Sequence, residues 1–288
     1  MTEAWSRLRE LGDRFTLAEI GATRELFAPR ALQPQDVGAV VTRDIAYGAD
    51  PRHRLDVFAP RGARNLPVVV YVHGGGYVGG DKGKAGDPFF NNIGAWAVRE
   101  GFVGVTMTYR LAPDHGWPAG AQDVDRALRF LQGQVEKQGG DPARIVLMGH
   151  SAGAAHVAGC LARHGCAADR APAAAAILMS GIYALDVYPD GHDYQVYYGT
   201  DRSLDASRST VDSLAALDIP SLFTVCEFDP VPFHRNLAAL FAARVRVTGR
   251  CPFVLYQRGH NHVSVTMQIG SELDTAGDEL AAFIRQPG

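Results

Sequence analysis

Cysteine is scarce in this chain. The 288 residues contain four: Cys160, Cys166, Cys226 and Cys251, with no CxxC pair and no metal-ligand spacing. A disulfide framework is therefore not expected, and buried free thiols in a reducing compartment are. Long apolar runs are also missing. No stretch is long enough to cross a bilayer. The charged, amphipathic opening Met1-Thr-Glu-Ala-Trp-Ser-Arg-Leu-Arg-Glu-Leu11 lacks the apolar centre of a secretory signal. The expectation is a cytoplasmic protein with no membrane contact. Excess charge is absent too. A net charge of −3 gives no ground to expect nucleic acid or an anionic surface as partner. There is no internal repeat and no low-complexity segment. What remains is 47% hydrophobic and 20% charged, a globular chain long enough to bury a large core.

The hydrophobic pattern changes along the chain. Trp5, Leu8, Leu11, Phe15 and Ile20 recur at near-helical spacing, and Pro29 and Pro34 then interrupt. Residues 1–38 read as a helical accessory piece ahead of a main domain spanning 39–288. Residues 40–47 and 53–59 are strand-like runs joined by Gly48-Ala-Asp-Pro51, which predicts a hairpin. Pro67-Val-Val-Val-Tyr-Val-His73 is continuously apolar, as in a strand buried on both faces. Helices and strands then alternate: helix 89–99, strand 102–109, helix 121–138, strand from 145, helix 154–164, strand 175–180. A later strand at 221–226, a helix at about 233–246, a strand at 253–256 and a last helix ending near Arg285 complete the series. Such alternation makes an α/β fold: a mostly parallel sheet, helices on both faces, and an antiparallel N-terminal edge. Residues 181–215 break the rhythm. Their tyrosines, among Asp, Gly and Pro, are expected to line a pocket with aromatic faces.

Four segments carry chemistry, each just after a strand. Ile145-Val-Leu-Met148 runs into Gly149-His-Ser-Ala-Gly153 and then small helix formers. In a strand-to-helix elbow the central serine is forced into a strained backbone. The flanking glycines must lack a β-carbon for strand and helix to approach. Ser151 is thus the candidate nucleophile. A serine hydroxyl needs a base, a group to orient that base, and donors for an oxyanion. His73-Gly-Gly-Gly-Tyr77 offers the backbone amides of Gly75 and Gly76, to be joined by that of Ala152 after the nucleophile. Tyr77 and His150 are expected to face the substrate, and His73 to brace the loop. Cys226-Glu-Phe-Asp-Pro-Val231 offers the acid. Asp229 is preferred, with Glu227 as alternative. Arg258-Gly-His-Asn-His-Val-Ser264 offers the base, and spacing alone does not separate His260 from His262.

Competing readings are weaker. Gly74-x-Gly76-x-x-Gly79 spells a nominal dinucleotide fingerprint, but a loop follows it rather than a helix, and no acidic residue ends the next strand. The two late histidines have no further ligands at a recognisable spacing, so no metal is expected.

The order Ser, Asp, His is the one this constellation takes on an α/β-hydrolase scaffold. The chain resembles the hormone-sensitive-lipase-like esterases of that fold over residues 50–285. The resemblance rests on His73-Gly-Gly-Gly, Tyr109-Arg-Leu-Ala-Pro113 with Trp117-Pro-Ala119, Asp141-Pro-Ala-Arg-Ile145 leading into the serine elbow, and Glu227-Phe-Asp-Pro230. It implies a cofactor-free serine carboxylesterase for small esters, with Ser151, Asp229 and the glycine amides in those roles and residues 1–38 as a small cap. Family members commonly have His-Gly-Phe, where this chain has His262-Val-Ser264. Asn261-His262-Val263-Ser264 is closer to the Asn-His-Phe context of formamidase-like relatives, which favours His262 as base. Leu55-Asp-Val-Phe58 and Gly79-Gly-Asp-Lys82 resemble the feruloyl/acetyl-esterase and formamidase branch, so an aryl formamide is the alternative substrate. A ligand-binding homologue without catalysis is a remote one. Many relatives pair through an edge strand or the last helices, so the resemblance leaves a homodimer open.

Overall fold

The computed structural model describes residues 3–166, 173–188 and 194–286. Two helices open it, α1 (Glu3–Leu11) and α2 (Leu17–Phe27). Gly12, at φ +61°, ends the first by donating its N–H to the Leu8 carbonyl, a left-handed stop that glycine adopts without steric cost. The strands are β1 (Val40–Ala46), β2 (Arg54–Ala59), β3 (Leu66–Val72), β4 (Val103–Met107), β5 (Gly140–His150), β6 (Ala175–Met179), β7 (Ser221–Phe228) and β8 (Phe253–Asn261). They form one sheet in the order β1-β2-β4-β3-β5-β6-β7-β8. From β4 across to β8 all neighbours are parallel. β2 is antiparallel to both β1 and β4, so it alone runs against the sheet.

Helices cover both faces, and the alternation of side chains along β3 shows how. Val68, Val70 and Val72 pack with Val124, Leu128 and Leu131 of α4 (Ala119–Gln134) and with Ala154 and Val157 of α5 (Ala152–Leu161). Val69 and Tyr71 point the other way, onto Ile93 and Trp96 of α3 (Asn91–Arg99). A strand buried on both sides has no polar face to show, which is why β3 reads as one apolar run.

Between β6 and β7 the described residues form short helices, among them α6 (Gln195–Tyr198), α7 (Asp205–Arg208) and α8 (Val211–Ala215). Residues 189–193 of this stretch lie outside the described residues. Then come α9 (Val231–Thr248), α10 (Ser264–Met267) and α11 (Gly277–Arg285). The opening segment packs Leu8, Leu11 and Phe27 against Phe89 and Met267. Among the described residues no helix is long and apolar enough to cross a membrane.

Candidate active site

The serine elbow is as tight as its glycines suggest. A β-carbon on Gly149 would lie 2.6 Å from the Gly153 carbonyl oxygen, and one on Gly153 would lie 2.1 Å from that of Val72. No side chain fits either place. Ser151, between them, sits at φ +55°, ψ −122°, a region L-residues occupy only when their surroundings enforce it. Its own N–H donates to the Met179 carbonyl on the adjacent strand at 2.9 Å. The turn holds the hydroxyl clear of the sheet, at the N-terminus of α5.

His262 lies one residue beyond β8. Its Nε2 is 2.9 Å from Ser151 Oγ, and its Nδ1 is 2.7 Å from Asp229 Oδ1. A carboxylate there accepts a hydrogen bond from Nδ1–H, which keeps the proton on Nδ1 and leaves Nε2 as acceptor for the serine hydroxyl. Asp229 follows β7 and is buried. Its other oxygen accepts from Ser180 Oγ at 2.6 Å and from the Cys226 N–H at 2.7 Å. Burial pushes its pKa up, but the hydrogen bond and charge of His262, the Cys226 amide and the Ser180 hydroxyl outweigh that and hold it below the ordinary value. The neighbouring Cys226 thiol is driven well above its usual range, by burial first and by Asp229 second.

The other late histidine is elsewhere. His260 is buried, with Nδ1 3.0 Å from Ser264 Oγ and Nε2 3.0 Å from Thr275 Oγ1. Glu227 likewise misses the imidazole and accepts the Gly259 N–H at 2.7 Å. β8 extends five residues past the 253–256 stretch that alternation suggests, and pairs Phe228 with Asn261 after a register shift. That shift sets Asp229 and His262 side by side at adjacent strand ends.

The glycine loop lies against the serine. A β-carbon on Gly74 would come 3.2 Å from Ser151 Cβ. Gly75 has φ +139° and Gly76 φ +59°, and a β-carbon on Gly75 would strike the Gly79 carbonyl at 2.2 Å. The carbonyl of Gly75 is held by the Val78 and Gly79 N–H groups. His73 stacks on Tyr109 at 4.4 Å between ring centroids and donates from Nδ1 to the Gly74 carbonyl at 2.7 Å. Burial lowers its pKa to about 4, so it is a neutral brace near pH 7.

Two expectations about the surroundings need correction. Tyr77 does not line the cavity at Ser151. It is buried, stacked on Tyr197 at 4.6 Å, in an apolar cluster with Ile182, Leu185, Tyr194 and Phe233. The described tyrosines of 181–215 belong to that cluster or to the sheet core, not to the cavity walls. Aromatic rings in this stretch fill space between α5 and α9. His150 does line the cavity, and its Nε2 donates to the His262 carbonyl at 2.7 Å, which pins the turn carrying the base. Burial, with a smaller effect from His262, lowers the His150 pKa to about 3.

The cavity measures about 530 Å³ and is walled by Phe15, Ile20 and Arg24 of the opening segment and by Phe89, Phe90, Val263 and Met267. Phe15 meets the His262 ring edge-on at 4.6 Å, while Phe233 packs on it at 4.2 Å. Sequence pattern puts Phe15 on one helical stripe with Leu11 and Ile20, but it lies in the short linker between α1 and α2, and its contact with His262 comes from where that linker docks. Nor does sequence pattern find Ser180, whose only mark is its place after a buried strand. The ligand-capable atoms of Asp125, Cys160 and Cys166 lie within 4.8 Å of one another, but none of the three lines this cavity.

Known proteins share this architecture. Esterase B of Lactobacillus rhamnosis superposes with a TM-score of 0.73 at 19% identity, over 97% of this chain and 94% of that one. An esterase of the bacterial hormone-sensitive lipase family gives 0.71 at 20% identity, over 100% and 99%. The chain has the α/β-hydrolase fold. A family model described as BD-FAE matches residues 55–169 of this chain. Carboxylesterase NlhH of Mycobacterium tuberculosis is 39% identical over 131 residues, 45% of this chain and 39% of that protein. The isoprenylcysteine alpha-carbonyl methylesterase ICME of Arabidopsis thaliana is 36% identical over 121 residues, 42% of this chain and 27% of that one. The chain thus matches well under half the length of these curated relatives.

Proposed function

We propose that this α/β-hydrolase is a cofactor-free serine carboxylesterase acting on small esters. The observation that carries the reading is the hydrogen-bonded series Ser151–His262–Asp229, with both contacts under 3.0 Å. In this mechanism His262 Nε2 takes the Ser151 proton as Oγ attacks the ester carbonyl. The negative charge that develops on the carbonyl oxygen falls to the amides of Gly75, Gly76 and Ala152. Among the described residues no acceptor outside helices and strands takes the first two, and Ala152 opens a helix, where N–H groups have no partner within it. His262 then gives the proton to the departing alcohol, leaving an acyl group on Ser151. Water, activated by the same imidazole, clears it. Asp229 holds the tautomer and balances the imidazolium. The opening segment acts as a cap, since Phe15 covers the outer edge of His262 and Ile20 closes one wall.

Ser151→Ala is expected to reduce turnover of p-nitrophenyl acetate by at least about 10³-fold without changing the fold. Full activity in that variant would refute the mechanism. Failure of a fluorophosphonate to label Ser151 in the wild type would point instead to a binding protein. A formanilide assayed beside the ester tells ester from formamide preference.

A further inference from the structure

The cavity at Ser151 has a charge arrangement that a simple apolar ester does not need. Among its lining side chains Arg24 is the one permanent cation. Its guanidinium stands over the Phe89 ring, 5.1 Å from the centroid, and among the described residues it has no carboxylate or carbonyl partner. Other arginines of the same segment are engaged. Arg7 holds Glu10 at 2.9 Å, Arg14 holds Glu19 at 3.5 Å and Arg30 holds Glu272 at 3.3 Å. The backbone beneath Arg24 is firmly placed. The preceding Thr23 is fully buried, donates to the Glu19 carbonyl at 2.8 Å and accepts from Asn261 Nδ2 at 2.9 Å. Asn261 is the residue before His262, so this bond ties the turn of helix carrying Arg24 to the strand end carrying the base. The two carboxylates that share the cavity each accept a backbone N–H of their own loop and keep their negative charge: Asp81 from Gly83 at 3.2 Å and Asp87 from Lys84 at 3.0 Å. Arg24 is the one permanently charged lining group that can receive an anion, and a guanidinium fork suits a carboxylate.

We propose that Arg24 receives a carboxylate carried by the substrate, so that the hydrolase selects esters with one anionic end. The proposal rests on the reading of Ser151 and His262 as the hydrolytic pair and names the substrate class of that site. The carboxylate sits either on the acyl chain or on the alcohol, and two substrate pairs separate these. One is mono-p-nitrophenyl glutarate against p-nitrophenyl butanoate; the other is p-carboxyphenyl butanoate against phenyl butanoate. For each pair the ratio of kcat/KM, anionic over neutral, is measured on one preparation, which cancels differences in the folded fraction. In Arg24→Ala at least one ratio is expected to fall about tenfold, the scale of a charge-assisted contact partly screened by solvent. Arg24→Lys should restore most of it, and added salt should lower it in the wild type. A merely structural arginine would shift both members of a pair together. Both ratios staying within about threefold of wild type in Arg24→Ala, or Arg24→Lys behaving like Arg24→Ala, overturns the proposal, as does a wild-type preference for a trimethylammonium-bearing ester. A wild type inert on the neutral esters overturns the hydrolytic reading as well; an active one whose ratios ignore Arg24 overturns this inference alone.

Discussion

Asp229 accepts three hydrogen bonds while buried, from Ser180, Cys226 and His262. Each donor holds the carboxylate in its charged form, and together they leave it little freedom to turn. Ser180 stands in an uncommon backbone setting for serine, φ +45°, and its hydroxyl has the shortest of the three contacts. Ser180→Ala removes that donor and nothing larger. The expected result is a stability loss of about 1–3 kcal/mol in urea titration, the usual cost of leaving a buried charged acceptor one partner short. If Asp229 orients His262 as proposed, kcat should fall by roughly tenfold as well, with KM near its wild-type value, because the interaction strengthens as the imidazole becomes charged. Unchanged stability and unchanged kcat would show that the Cys226 amide alone suffices.

Among elements, the loop between β3 and α3 stands out for how it is held. It supplies Asp81, Gly83 and Asp87 to the cavity, and its anchor is Lys82. The Lys82 ammonium is buried and lies 2.8 Å from both Asp44 and Asp56, while Asp56 is fully buried and also accepts from Arg43 at 2.7 Å. The loop is thereby tied to β1 and β2, the two strands at the sheet margin. Lys82→Met keeps the volume and deletes the charge, leaving Asp56 with one cation instead of two. A loss of about 3 kcal/mol is expected by chemical denaturation. Adding Asp56→Asn should return part of it, since the residual penalty is an underpaired charge and the two positions are coupled. Sequence pattern makes the main elements legible, because β3, β4, β6 and most of β7 are buried, largely apolar runs. It leaves β8 short, since Gln257-Arg258-Gly259 looks like a turn although the strand continues through Gly259 at φ +78°. It also sends the tyrosines after β6 to the wrong cavity. Composition tells that a ring will be buried, and only tertiary packing decides against what. Ser151, Asp229 and His262 are readable because the elbow and strand ends constrain them locally. Phe15 and Arg24 are not, because their relevance comes from where α2 docks, a contact between residues more than two hundred positions apart.

For the molecule as a whole, the buried imidazoles set an acid limit. Burial lowers the pKa of His73 to about 4 and of His150, His156 and His260 to about 3. In the unfolded chain each returns to roughly 6.5. Between these values the unfolded state binds protons that the folded state refuses, so stability falls as pH falls, beginning below about 6.5 and continuing to about 4 for His73 and about 3 for the other three. Once the pH is well below 6.5, each histidine contributes about 1.4 kcal/mol per pH unit, and the four together remove roughly 5 kcal/mol per unit. A domain whose net stability is about 5–15 kcal/mol cannot sustain that slope for long. Asp229 acts in the same direction but later, because its depressed pKa keeps it charged, and its contribution disappears only as the pH falls through that lowered value. Cooperative unfolding is therefore expected near pH 5, above the range in which carboxylates take up protons, and it should be accompanied by uptake of about three to four protons per chain. Far-ultraviolet circular dichroism followed from neutral pH downward, with parallel potentiometry, measures both quantities. A midpoint below about pH 4, with less than one proton taken up before it, would mean that these imidazoles are hydrated or paired in solution rather than held neutral in the core.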